Sequence, residues 1–537
     1  MQFNFADMFE CVVDAVPDRE ALYAEGRMLT YRQLDERANQ LAHHFQSVGI
    51  GHGDHVGCHM MNGTEYLETM IALFKIRAVP INVNFRYVHE ELRYLYDDAD
   101  LVATVFDAEF ADRVAAVLPQ TPKVRHLIAV GPYDGFELPE GTVRYEEALA
   151  AQPGDRSGLP ERSADDLLII YTGGTTGMPK GVMWRQEDMF FAGMGGGRPA
   201  GEPFKTPEEA GENAAASGVT TSFPAAPLMH GAAELSSFIT FWSGGKVCLI
   251  RKFSGHGALQ LIQDQKANML MVVGDAMATP ILEALEEKEY DLSSLFVLGS
   301  AGALLSQTTR DRFAAKVPNL YINDSFGSTE TGYNGSAKPG TNAKDGLKFA
   351  IHERTAVFDE DLKRVEPGSG KVGRVAQKGH IPLGYYNDPE KTAKTFVEID
   401  AERWVMPGDM AMVEEDGTMH FLGRGSICIN SGGEKIYPEE VENAIKSHPD
   451  LQDAVVAGIP DERWGQRVAA VLQVKEGRTP PTQEELEQHL STQIGRYKLP
   501  RFITYVDLMQ RSPSGKPDYN WATKVLTEAA AAAKAPA

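Results

Sequence analysis

The apolar residues near the amino terminus recur with the period of an α-helix. The members of this apolar stripe are Tyr31, Leu34, Ala38 and Leu41. They stand three or four positions apart, which places them on one face of a helix, while polar residues fill the other face. Thr30 precedes the stripe and Gln33 follows three residues later, which is the pattern of an N-terminal capping box. The pattern therefore predicts an amphipathic helix that begins after Thr30.

Short apolar runs alternate with amphipathic stretches further along the chain. Three such runs cover residues 167–170, 269–273 and 295–298, and Gly, Asp or Ser bounds each of them. Runs of this length between helices are typical of strands that are buried on both faces of a sheet. The alternation predicts an α/β fold for most of the chain.

Two segments show no apolar period. Residues 192–218 are rich in Gly, Ala, Pro and Glu, and the chain after Leu526 ends in a run of alanines. A stretch as long as the first is expected to be a functional or disordered loop. We expect the second to fray at the carboxyl terminus.

A new pattern of helices and strands follows a turn-rich stretch near residues 423–430. Pro438 opens a predicted helix, since proline is favoured at the first position of a helix. The elements predicted after it are strands at 454–459 and 468–474, a helix at 484–494 and a strand at 502–508. We therefore predict a large α/β domain at residues 1–425 and a small α+β domain at residues 426–537.

Composition and charge narrow the range of functions. The chain has 537 residues, of which 43% are hydrophobic and 24% charged, as in a folded protein. A formal net charge of -23 opposes general binding to nucleic acid and to anionic membranes. The four scattered cysteines indicate neither a disulfide framework nor a zinc cluster, and no secretory signal or bilayer-spanning apolar stretch is found. We expect a cytoplasmic protein without stable membrane insertion, and the sequence leaves a homodimer open.

The segment YTGGTTGMPKG at residues 171–181 has the composition of a phosphate-binding turn. Its glycines let the backbone turn tightly and present successive N–H groups to an anion, and its hydroxyls and lysine add donors. The residues predicted to contact phosphate are Thr172, Gly173, Gly174, Thr175, Thr176, Gly177 and Lys180. The segment is not a Walker A loop, because Pro179 precedes the lysine and Gly181 follows it.

This segment resembles the signature loop of the adenylate-forming superfamily, which contains acyl-CoA synthetases, luciferases and the adenylation domains of peptide synthetases. The family loop usually has Ser where this chain has Gly174, so one phosphate-facing hydroxyl is missing. Further motifs of the family occur in the same order from about residue 30 to about residue 520, so the resemblance covers nearly the whole chain. It implies a large N-terminal domain of several subdomains and a small, mobile C-terminal domain.

The resemblance implies further nucleotide contacts. The stretch GSAG at 299–302 is similar to one that lines the nucleotide, and in DSFGSTE at 324–330 the aromatic Phe326 matches a ring that stacks on adenine. Asp409 matches a carboxylate that binds ribose. Arg424 matches an arginine that reaches ribose or phosphate. The residues implied to bind ATP or AMP outside the glycine-rich loop are Ser300, Ala301, Asp324, Ser325, Phe326, Gly327, Ser328, Asp409 and Arg424.

Four residues are implied to act in catalysis. Glu330 matches an oxygen ligand of Mg²⁺. Thr329 matches a residue whose hydroxyl lies near the phosphate and the acyl carboxylate. His230, in PLMHG, resembles a residue that gates the acyl carboxylate. Lys516, in RSPSGKP, matches the lysine that bridges the carboxylate and the α-phosphate during adenylation.

The predicted small domain carries the implied coenzyme A site. The residues assigned to it by the resemblance are Ser431, Gly432, Gly433, Lys435 and Trp464. In the family the small domain rotates about a hinge residue that is usually Asp or Lys, and Ser426 occupies that position here. The rotation removes the catalytic lysine from the site and brings in the coenzyme A tunnel, because the two steps need different residues around the same intermediate.

These groups suit the activation of a carboxylic acid in two steps. The acid's carboxylate attacks the α-phosphate of ATP to give an acyl-adenylate, and the thiol of coenzyme A then displaces AMP. Both reactants of the first step are anions, so cations and backbone donors must neutralise charge that is shared in the transition state. ATP, Mg²⁺ and coenzyme A are the implied cofactors.

The identity of the acid is suggested by the resemblance alone. Segments such as GRGSICINSGGEKIYPEEVE and RSPSGKPDYNW look closest to actinobacterial ligases for steroid side chains and related bulky acids. This implies a steroid- or terpenoid-like acid, with residues 192–218 as a lid over it. A medium- or long-chain fatty acid is the alternative, and specialisation for one half-reaction stays open because the hinge position departs from the family.

Other classes of function fit less well. The formal GxGxxG at 368–373 opens no visible helix, which argues against a dinucleotide-binding oxidoreductase, and no GxSxG indicates a nucleophile-elbow hydrolase. A non-catalytic acyl-adenylate-binding protein would use the same loops, but the presence of both Lys516 and Glu330 favours an enzyme. Loading of a separate carrier protein shares the first half-reaction and stays open.

Overall fold

The computed structural model describes most of the chain. The described ranges are 1–172, 178–198, 201–301, 303, 305–336, 347–431, 434–461, 464–491, 493–511 and 516–533. Within them the strands assemble into four sheets with helices packed on their faces.

The helices are spread over the whole chain. In chain order they are α1 (Phe5–Ala15), α2 (Tyr31–Ser47), α3 (Thr64–Lys75), α4 (His89–Asp98), α5 (Ala111–Val117), α6 (Tyr145–Ala150), α7 (Gln186–Gly193), α8 (Glu209–Ala216), α9 (Gly231–Trp242), α10 (Gly255–Gln265), α11 (Gly274–Glu287), α12 (Gln307–Lys316), α13 (Pro389–Thr395), α14 (Pro438–Lys446), α15 (Gln483–Leu490) and α16 (Tyr519–Ala532).

The strands alternate with these helices up to β15 and then follow one another more closely. The strands before β15 are β1 (Glu20–Ala24), β2 (Arg27–Thr30), β3 (His55–His59), β4 (Val79–Asn82), β5 (Ala103–Asp107), β6 (His126–Val130), β7 (Val143–Arg144), β8 (Leu167–Thr172), β9 (Lys180–Arg185), β10 (Thr221–Pro224), β11 (Lys246–Leu249), β12 (Met269–Val272), β13 (Val297–Ser300) and β14 (Tyr321–Ser328). The later strands are β15 (Gly332–Ser336), β16 (Leu347–Ala350), β17 (Thr355–Phe358), β18 (Gly373–Lys378), β19 (Gly384–Tyr385), β20 (Phe396–Ile399), β21 (Glu402–Val405), β22 (Asp409–Val413), β23 (Thr418–Arg424), β24 (Ile429–Ser431), β25 (Glu434–Ile436), β26 (Leu451–Asp461), β27 (Gly465–Val474) and β28 (Phe502–Val506).

Two large sheets of mainly parallel strands form the first part of the protein. The first sheet has the order β15-β14-β13-β12-β10-β11-β1-β2, and only its edge strands β2 and β15 pair antiparallel. The second sheet has the order β19-β9-β8-β4-β3-β5-β6-β7, and it is parallel from β8 to β7. Parallel strands joined by helices are the mark of an α/β fold, so that prediction is confirmed.

The third and fourth sheets follow in the chain. The third is antiparallel in the order β16-β23-β22-β18-β21-β20, with β17 on β18. The fourth has the order β25-β24-β27-β26, with β28 parallel to β27, and it belongs to the small C-terminal domain. Alternate residues of β26 pack into two cores, one with α14 and α15 and the other with α16. A large domain followed by a smaller one is thus confirmed, while the boundary between 1–425 and 426–537 stays a prediction.

The helix predicted after Thr30 is α2. The hydroxyl of Thr30 accepts from the backbone N–H of Gln33 at 3.3 Å, and the Gln33 side chain accepts from the backbone N–H of Thr30 at 2.9 Å. Its apolar stripe is buried in the largest core. None of the described helices is long and apolar enough to cross a membrane.

The three apolar runs are largely buried, although Met269 and Phe296 are exposed. The runs at 167–170 and 269–273 correspond to β8 and β12, but β12 ends one residue earlier, at Val272, and β13 begins at Val297 rather than at Leu295. Leu295 lies in a turn, where its N–H donates to the carbonyl of Leu292 at 3.0 Å, and its side chain is buried. Burial alone therefore made a turn residue look like part of the strand.

The prediction of a loop over residues 192–218 was wrong in part. Residues 209–216 form α8, which packs against α1 with Ala210 and Ala214 buried. A Cβ atom at Gly211 would lie 2.5 Å from the carbonyl oxygen of Cys11, so the backbones of the two helices approach each other closely at this point. The small residues that made this segment look featureless are what allow the close contact.

The prediction of a frayed end after Leu526 was wrong for residues 527–532, while residues 534–537 lie outside the described residues. The chain continues as α16 to Ala532, and Asp518 caps the helix by accepting from the N–H of Trp521 at 2.9 Å. Leu526 and Ala530 are buried against the fourth sheet. Alanine has the highest helix propensity, so the run extends the helix instead of ending it.

We predict that Gly211→Ala destabilises the protein by about 1–3 kcal/mol, because the added methyl group collides with the backbone of α1. Helix propensity alone would predict the opposite, a gain of about 0.5–1 kcal/mol. Gly218→Ala is the matched control, since no atom lies within 4 Å of a Cβ there. Urea denaturation of both variants checks this, and a stabilised Gly211→Ala would contradict the packing of α8 on α1.

Candidate active site

The glycine-rich loop closes between two paired strand ends. Thr172 is the last residue of β8 and pairs in register with Lys180, the first residue of β9. The loop residues between them, Gly173, Gly174, Thr175, Thr176 and Gly177, lie outside the described residues. The ammonium of Lys180 lies 3.0 Å from a carboxylate oxygen of Asp388, and the hydrogen bond between them raises the pKa of Lys180. One end of the loop is therefore tied to the segment that begins α13.

Asn82 connects this loop to the segment that carries His230. The Asn82 amide accepts from the N–H of Tyr171 at 2.7 Å and donates to the Tyr171 carbonyl at 2.8 Å. The same amide donates to the carbonyl of Met229 at 2.7 Å. His230 follows and stands at the N-cap of α9. Nothing in the sequence around Asn82 indicated this role, since its three partners come from two distant segments.

His230 is neutral at physiological pH. Burial, together with the positive charges of Lys516 and Arg86, lowers its pKa to about 4. The imidazole therefore lies near Lys516, and it adds no charge to the site.

The segment after β14 is fixed by several contacts. A Cβ atom at Gly327 would lie 2.1 Å from the carbonyl oxygen of Gly332, so only glycine fits there. The N–H of Ser328 donates to the hydroxyl of Thr331 at 3.1 Å. The indole N–H of Trp184 donates to the carbonyl of Thr329 at 2.9 Å. These contacts hold the turn that presents the two implied catalytic residues Thr329 and Glu330.

The Glu330 carboxylate is buried and receives a hydrogen bond from the hydroxyl of Tyr385 at 2.9 Å. Burial raises the pKa of Tyr385, and the negative charge of Glu330 raises it further. The phenol thus stays protonated and remains a donor. Tyr385 was missed by sequence reasoning, because it lies 55 residues from Glu330 along the chain.

Four charged residues form what we call the charged cluster: Glu330, Asp409, Arg424 and Lys516. Asp409 and Arg424 pair in register on β22 and β23, and their side chains approach to 3.2 Å. Solvent reaches Lys516, but surrounding protein and the charge of Arg424 lower its pKa, against the opposing effects of Glu330 and Asp409. Burial likewise raises the pKa of Asp409, which Arg424 opposes. The structure therefore brings together residues from distant parts of the chain, with Glu330 first and Lys516 last in sequence.

Ser300, the last residue of β13, is hydrogen-bonded to neighbouring segments through its hydroxyl. The hydroxyl of Ser300 donates to the carbonyl of Ala303 at 2.7 Å and accepts from the N–H of Gly274 at 3.1 Å. Ser300 is buried and its hydroxyl is engaged within the protein, while its implied contact with the nucleotide stays a prediction. Ser325 donates to the carbonyl of Ser300 at 3.1 Å, and Ala301 beside it is partly exposed.

Phe326 lies mostly within a core. Its ring centroid is 4.6 Å from that of Phe421 and 5.1 Å from that of Phe349, and only 8% of the residue is exposed. Stacking on adenine stays a prediction that this burial does not favour. The side chain of Asp324 lies outside the described residues.

The implied coenzyme A residues lie on the fourth sheet. Ser431 pairs in register with Gly465, which places it beside Trp464. Trp464 is 47% exposed, an unusual state for so large an apolar side chain. The positions outside the described residues or side chains are Gly432, Gly433, Lys435 and the predicted hinge residue Ser426.

Comparison with known proteins decides the family. A family model described as AMP-binding enzyme matches residues 9–386, which is more than half of the chain. The chain belongs to the AMP-binding enzyme family. The model of the AMP-binding enzyme C-terminal domain matches residues 440–516 of this family member, a range that ends at Lys516.

Relatives of this AMP-binding enzyme match it along its length. A 3-oxocholest-4-en-26-oate–CoA ligase of Rhodococcus rhodochrous is 48% identical over 535 residues, which cover 97% of this chain and 96% of the relative. A medium/long-chain-fatty-acid–CoA/3-oxocholest-4-en-26-oate–CoA ligase of Mycolicibacterium smegmatis is 46% identical over 538 residues, which cover 98% and 97%.

Solved structures with the same fold include two ligand complexes. The anthranilate CoA ligase AuaEII in complex with anthranoyl-AMP superposes with a TM-score of 0.85 at 21% identity and covers 98% of each chain. ATP-bound MatB from Rhodopseudomonas palustris gives a TM-score of 0.80 at 24% identity and covers 97% of this chain and 99% of its own. At these identities the likeness shows the fold alone.

A buried acid lies one helical turn after His230 in this AMP-binding enzyme. Glu234 on α9 is 1% exposed, and its Oε1 atom has no hydrogen-bond partner. Burial raises the pKa of Glu234 to about 8, and its neighbours include Cys58 and Tyr66, whose own pKa values it raises. The carboxyl group is therefore mainly protonated at neutral pH.

We predict that Glu234 makes the protein less stable as the pH rises. Its carboxyl ionises near pH 4.5 in the unfolded chain but only near pH 8 in the folded protein. The contribution of Glu234 to the free energy of unfolding is therefore fully present below pH 4.5. It falls between pH 4.5 and 8, by at most about 1.4 kcal/mol per pH unit for one group. Glu234→Gln cannot ionise, so its unfolding free energy should fall less over this range.

Denaturation curves at pH 5.5, 7 and 8.5 measure this difference. Glu398→Gln, at an exposed position, serves as the control and should follow the wild type. Parallel pH dependence in Glu234→Gln and in the wild type would show that Glu234 does not hold its proton in the folded protein.

Proposed function

We propose that this chain is an ATP-dependent acyl-CoA ligase that forms an acyl-adenylate and passes the acyl group to coenzyme A. The observation that carries the proposal is the position of Lys516, which comes from the C-terminal domain and joins Glu330, Asp409 and Arg424 in the charged cluster. The two ligases that match at 48% and 46% identity over nearly the whole chain support the same activity.

In the adenylation step, Lys516 would contact both anions that must react. A carboxylate and an α-phosphate repel each other, and an ammonium between them lowers that repulsion most where water is scarce. The surrounding protein and the charge of Arg424 lower the pKa of Lys516, against the effects of Glu330 and Asp409, so its ammonium lies close to these groups although solvent reaches it. Local cations are needed here in particular, since the protein as a whole carries a net charge of -23.

Asp409 and Arg424 would bind the nucleotide on the other side of the same cluster. The carboxylate of Asp409 can accept from two ribose hydroxyls, and its pairing with Arg424 keeps it in place. Arg424 keeps further N–H groups for a phosphate or ribose oxygen, because a guanidinium has five of them.

Glu330 fits the ligand chemistry of Mg²⁺. Its buried carboxylate receives the Tyr385 hydroxyl at one oxygen and leaves lone pairs for a hard cation. The described residues contain no group of three or more His, Cys, Asp or Glu side chains that would hold a metal alone. The arrangement suits an ion whose remaining ligands are water and phosphate oxygens, and Mg²⁺ bound there would offset charge on the triphosphate.

His230 would orient the acid. A neutral imidazole beside Lys516 can donate to or accept from the acyl carboxylate without adding a charge. Since Asn82 ties the His230 segment to the strand before the glycine-rich loop, the acid and the phosphates share one support.

The thiolation step would follow a rotation of residues 426–537 relative to residues 1–425, about Ser426. The exposed Trp464 beside Ser431 suits a segment that waits outside the cleft during adenylation. A rotation that removes Lys516 and brings this segment in would let the thiol approach the acyl carbon. A cytoplasmic location and a homodimer stay predictions.

The acid is proposed to be bulky and apolar, steroid- or terpenoid-like. One stripe of the otherwise buried helix α9 stays partly exposed, and its members are Ala232, Leu235, Ser236 and Ile239. His230 precedes the stripe at the N-cap of α9, and Gly193 from α7 lies close to Leu235. Small and aliphatic residues in such a stripe suit an apolar acid, and both relatives named above are ligases of a steroid acid.

A medium- or long-chain fatty acid is the second candidate, because the printed name of the Mycolicibacterium smegmatis relative includes that class. A lid formed by all of residues 192–218 is no longer part of the proposal. Residues 209–216 are held against α1 and are not free to cover a substrate.

We predict that Lys516→Ala lowers acyl-adenylate formation by at least about a hundredfold, because a donor to the developing charge is lost. Thioester formation from a supplied acyl-adenylate and coenzyme A should be spared, since Lys516 leaves the site before that step. Pyrophosphate exchange measures the first reaction and thioester release measures the second. Lys524→Ala, on an exposed part of α16, is the matched control. Equal loss of both reactions in Lys516→Ala would overturn the assigned role.

A panel of acids is expected to show turnover of a steroid or diterpenoid acid well above that of acetate, because the α9 stripe offers mainly apolar contacts. AMP-ester formation and thioester release should be scored separately, with palmitate as the test of the second candidate. A strong preference for acetate would rule out both proposed substrate classes.

A further inference from the structure

Helix α13 lies beside the entrance of the glycine-rich loop. The backbone N–H of Tyr386 donates to the carbonyl of Gly181 at 2.8 Å, so β19 runs along the start of β9. Asp388 follows at the N-cap of α13 and pairs with Lys180 at 3.0 Å. The first turn of α13 is therefore held against the residue that closes the loop.

Lys391 lies in this first turn and points its charge toward the site. Its ammonium nitrogen lies 4.3 Å from the centroid of the Tyr385 ring, whose hydroxyl donates to Glu330. The side chain is half-buried. It forms no ion pair with a carboxylate among the described residues, although Glu330 and Asp388 are near enough to influence it.

The surroundings of Lys391 are electrostatically unusual. Burial lowers its pKa, and the positive charges of Lys180 and Arg424 lower it further, against the effects of Glu330 and Asp388. Lys391 thus shares its surroundings with two cations and two carboxylates, and it forms no ion pair among the described residues. A half-buried ammonium in such a place is costly in the protein alone, and a multivalent anion that enters the cleft would offset that cost.

The other lysines near this position are already neutralised. Lys180 is paired with Asp388. Lys394 stands one turn later on α13, is 72% exposed and pairs with Glu390 at 2.6 Å. Lys391 differs from both in having no ion pair among the described residues.

We propose that Lys391 binds the β- and γ-phosphates of ATP, and the pyrophosphate that they become, through its ammonium group. This inference rests on the proposed function, since it assumes that the cleft binds a triphosphate. Lys516 serves the α-phosphate and the acyl carboxylate on one side, and Lys391 would serve the departing phosphates on the other. A cation at the departing group stabilises the negative charge that collects there as the bond to the α-phosphate breaks.

Equilibrium binding separates this role from a structural one. Wild type, Lys391→Met, Lys391→Arg and the control Lys394→Met are titrated with Mg-ATP, with Mg-pyrophosphate and with AMP by calorimetry. Methionine keeps the length and the apolar stem but removes the charge. We expect Lys391→Met to weaken Mg-ATP and Mg-pyrophosphate binding at least tenfold and AMP binding less than twofold. Lys391→Arg should retain most of the affinity, and Lys394→Met should match the wild type.

The other possible outcomes would overturn the proposed role of Lys391 in phosphate binding. Equal weakening of ATP and AMP would show that Lys391 only supports Tyr385, and unchanged ATP binding would show that it does not reach the phosphates. If Lys391→Met fails to fold, Lys391→Gln removes the charge with a polar side chain, and the same comparison applies. A wild-type protein that binds neither nucleotide would overturn the proposed function itself, whereas a binding wild type with an equally tight Lys391→Met variant overturns this inference alone.

Discussion

Attraction between opposite charges in a partly dry cleft is the interaction on which the candidate site depends. Arg424 is held by Asp409, and Lys516 is placed near both of them and near Glu330. Each cation alone would be costly to remove from water, and each carboxylate would be equally costly. Together they balance one another while keeping donors and acceptors for a ligand. A protein with so acidic a surface can bind an anion only through such a local arrangement.

The fold supports this balance by joining segments that are distant in sequence. Trp184 on β9 fixes the turn at Thr329, and Asn82 on β4 joins the strand before the glycine-rich loop to the segment of His230. Both anchors belong to the second sheet, whereas the turn at Thr329 follows a strand of the first sheet. The site is thus built where two large parallel sheets meet, which is a common location for ligands in α/β proteins.

Local signals in the sequence predicted the fold better than they predicted the contacts. The capping box at Thr30 and the strand at β8 were predictable, because each depends on neighbouring residues. The helix at α8 was missed, because its small residues matter only when α1 lies against them. The alanine run was mistaken for a frayed end, although the fourth sheet covers one side of it.

The same limit applies to the site. Glu330 and Lys516 stand in motifs and could be named from the sequence, and the structure brings them into one cluster. Ser300 also stands in a motif, but its hydroxyl is used within the protein. Tyr385 and Asn82 stand in no motif recognised from the sequence, and their importance comes from partners elsewhere in the chain. The aromatic ring of Tyr385 also has a consequence of its own. Its face meets the ammonium of Lys391 and its hydroxyl meets the carboxylate of Glu330. Tyr385 thus contacts both charged groups, which form no ion pair with each other among the described residues, and in the proposed complex each group would contact a different part of the ligand.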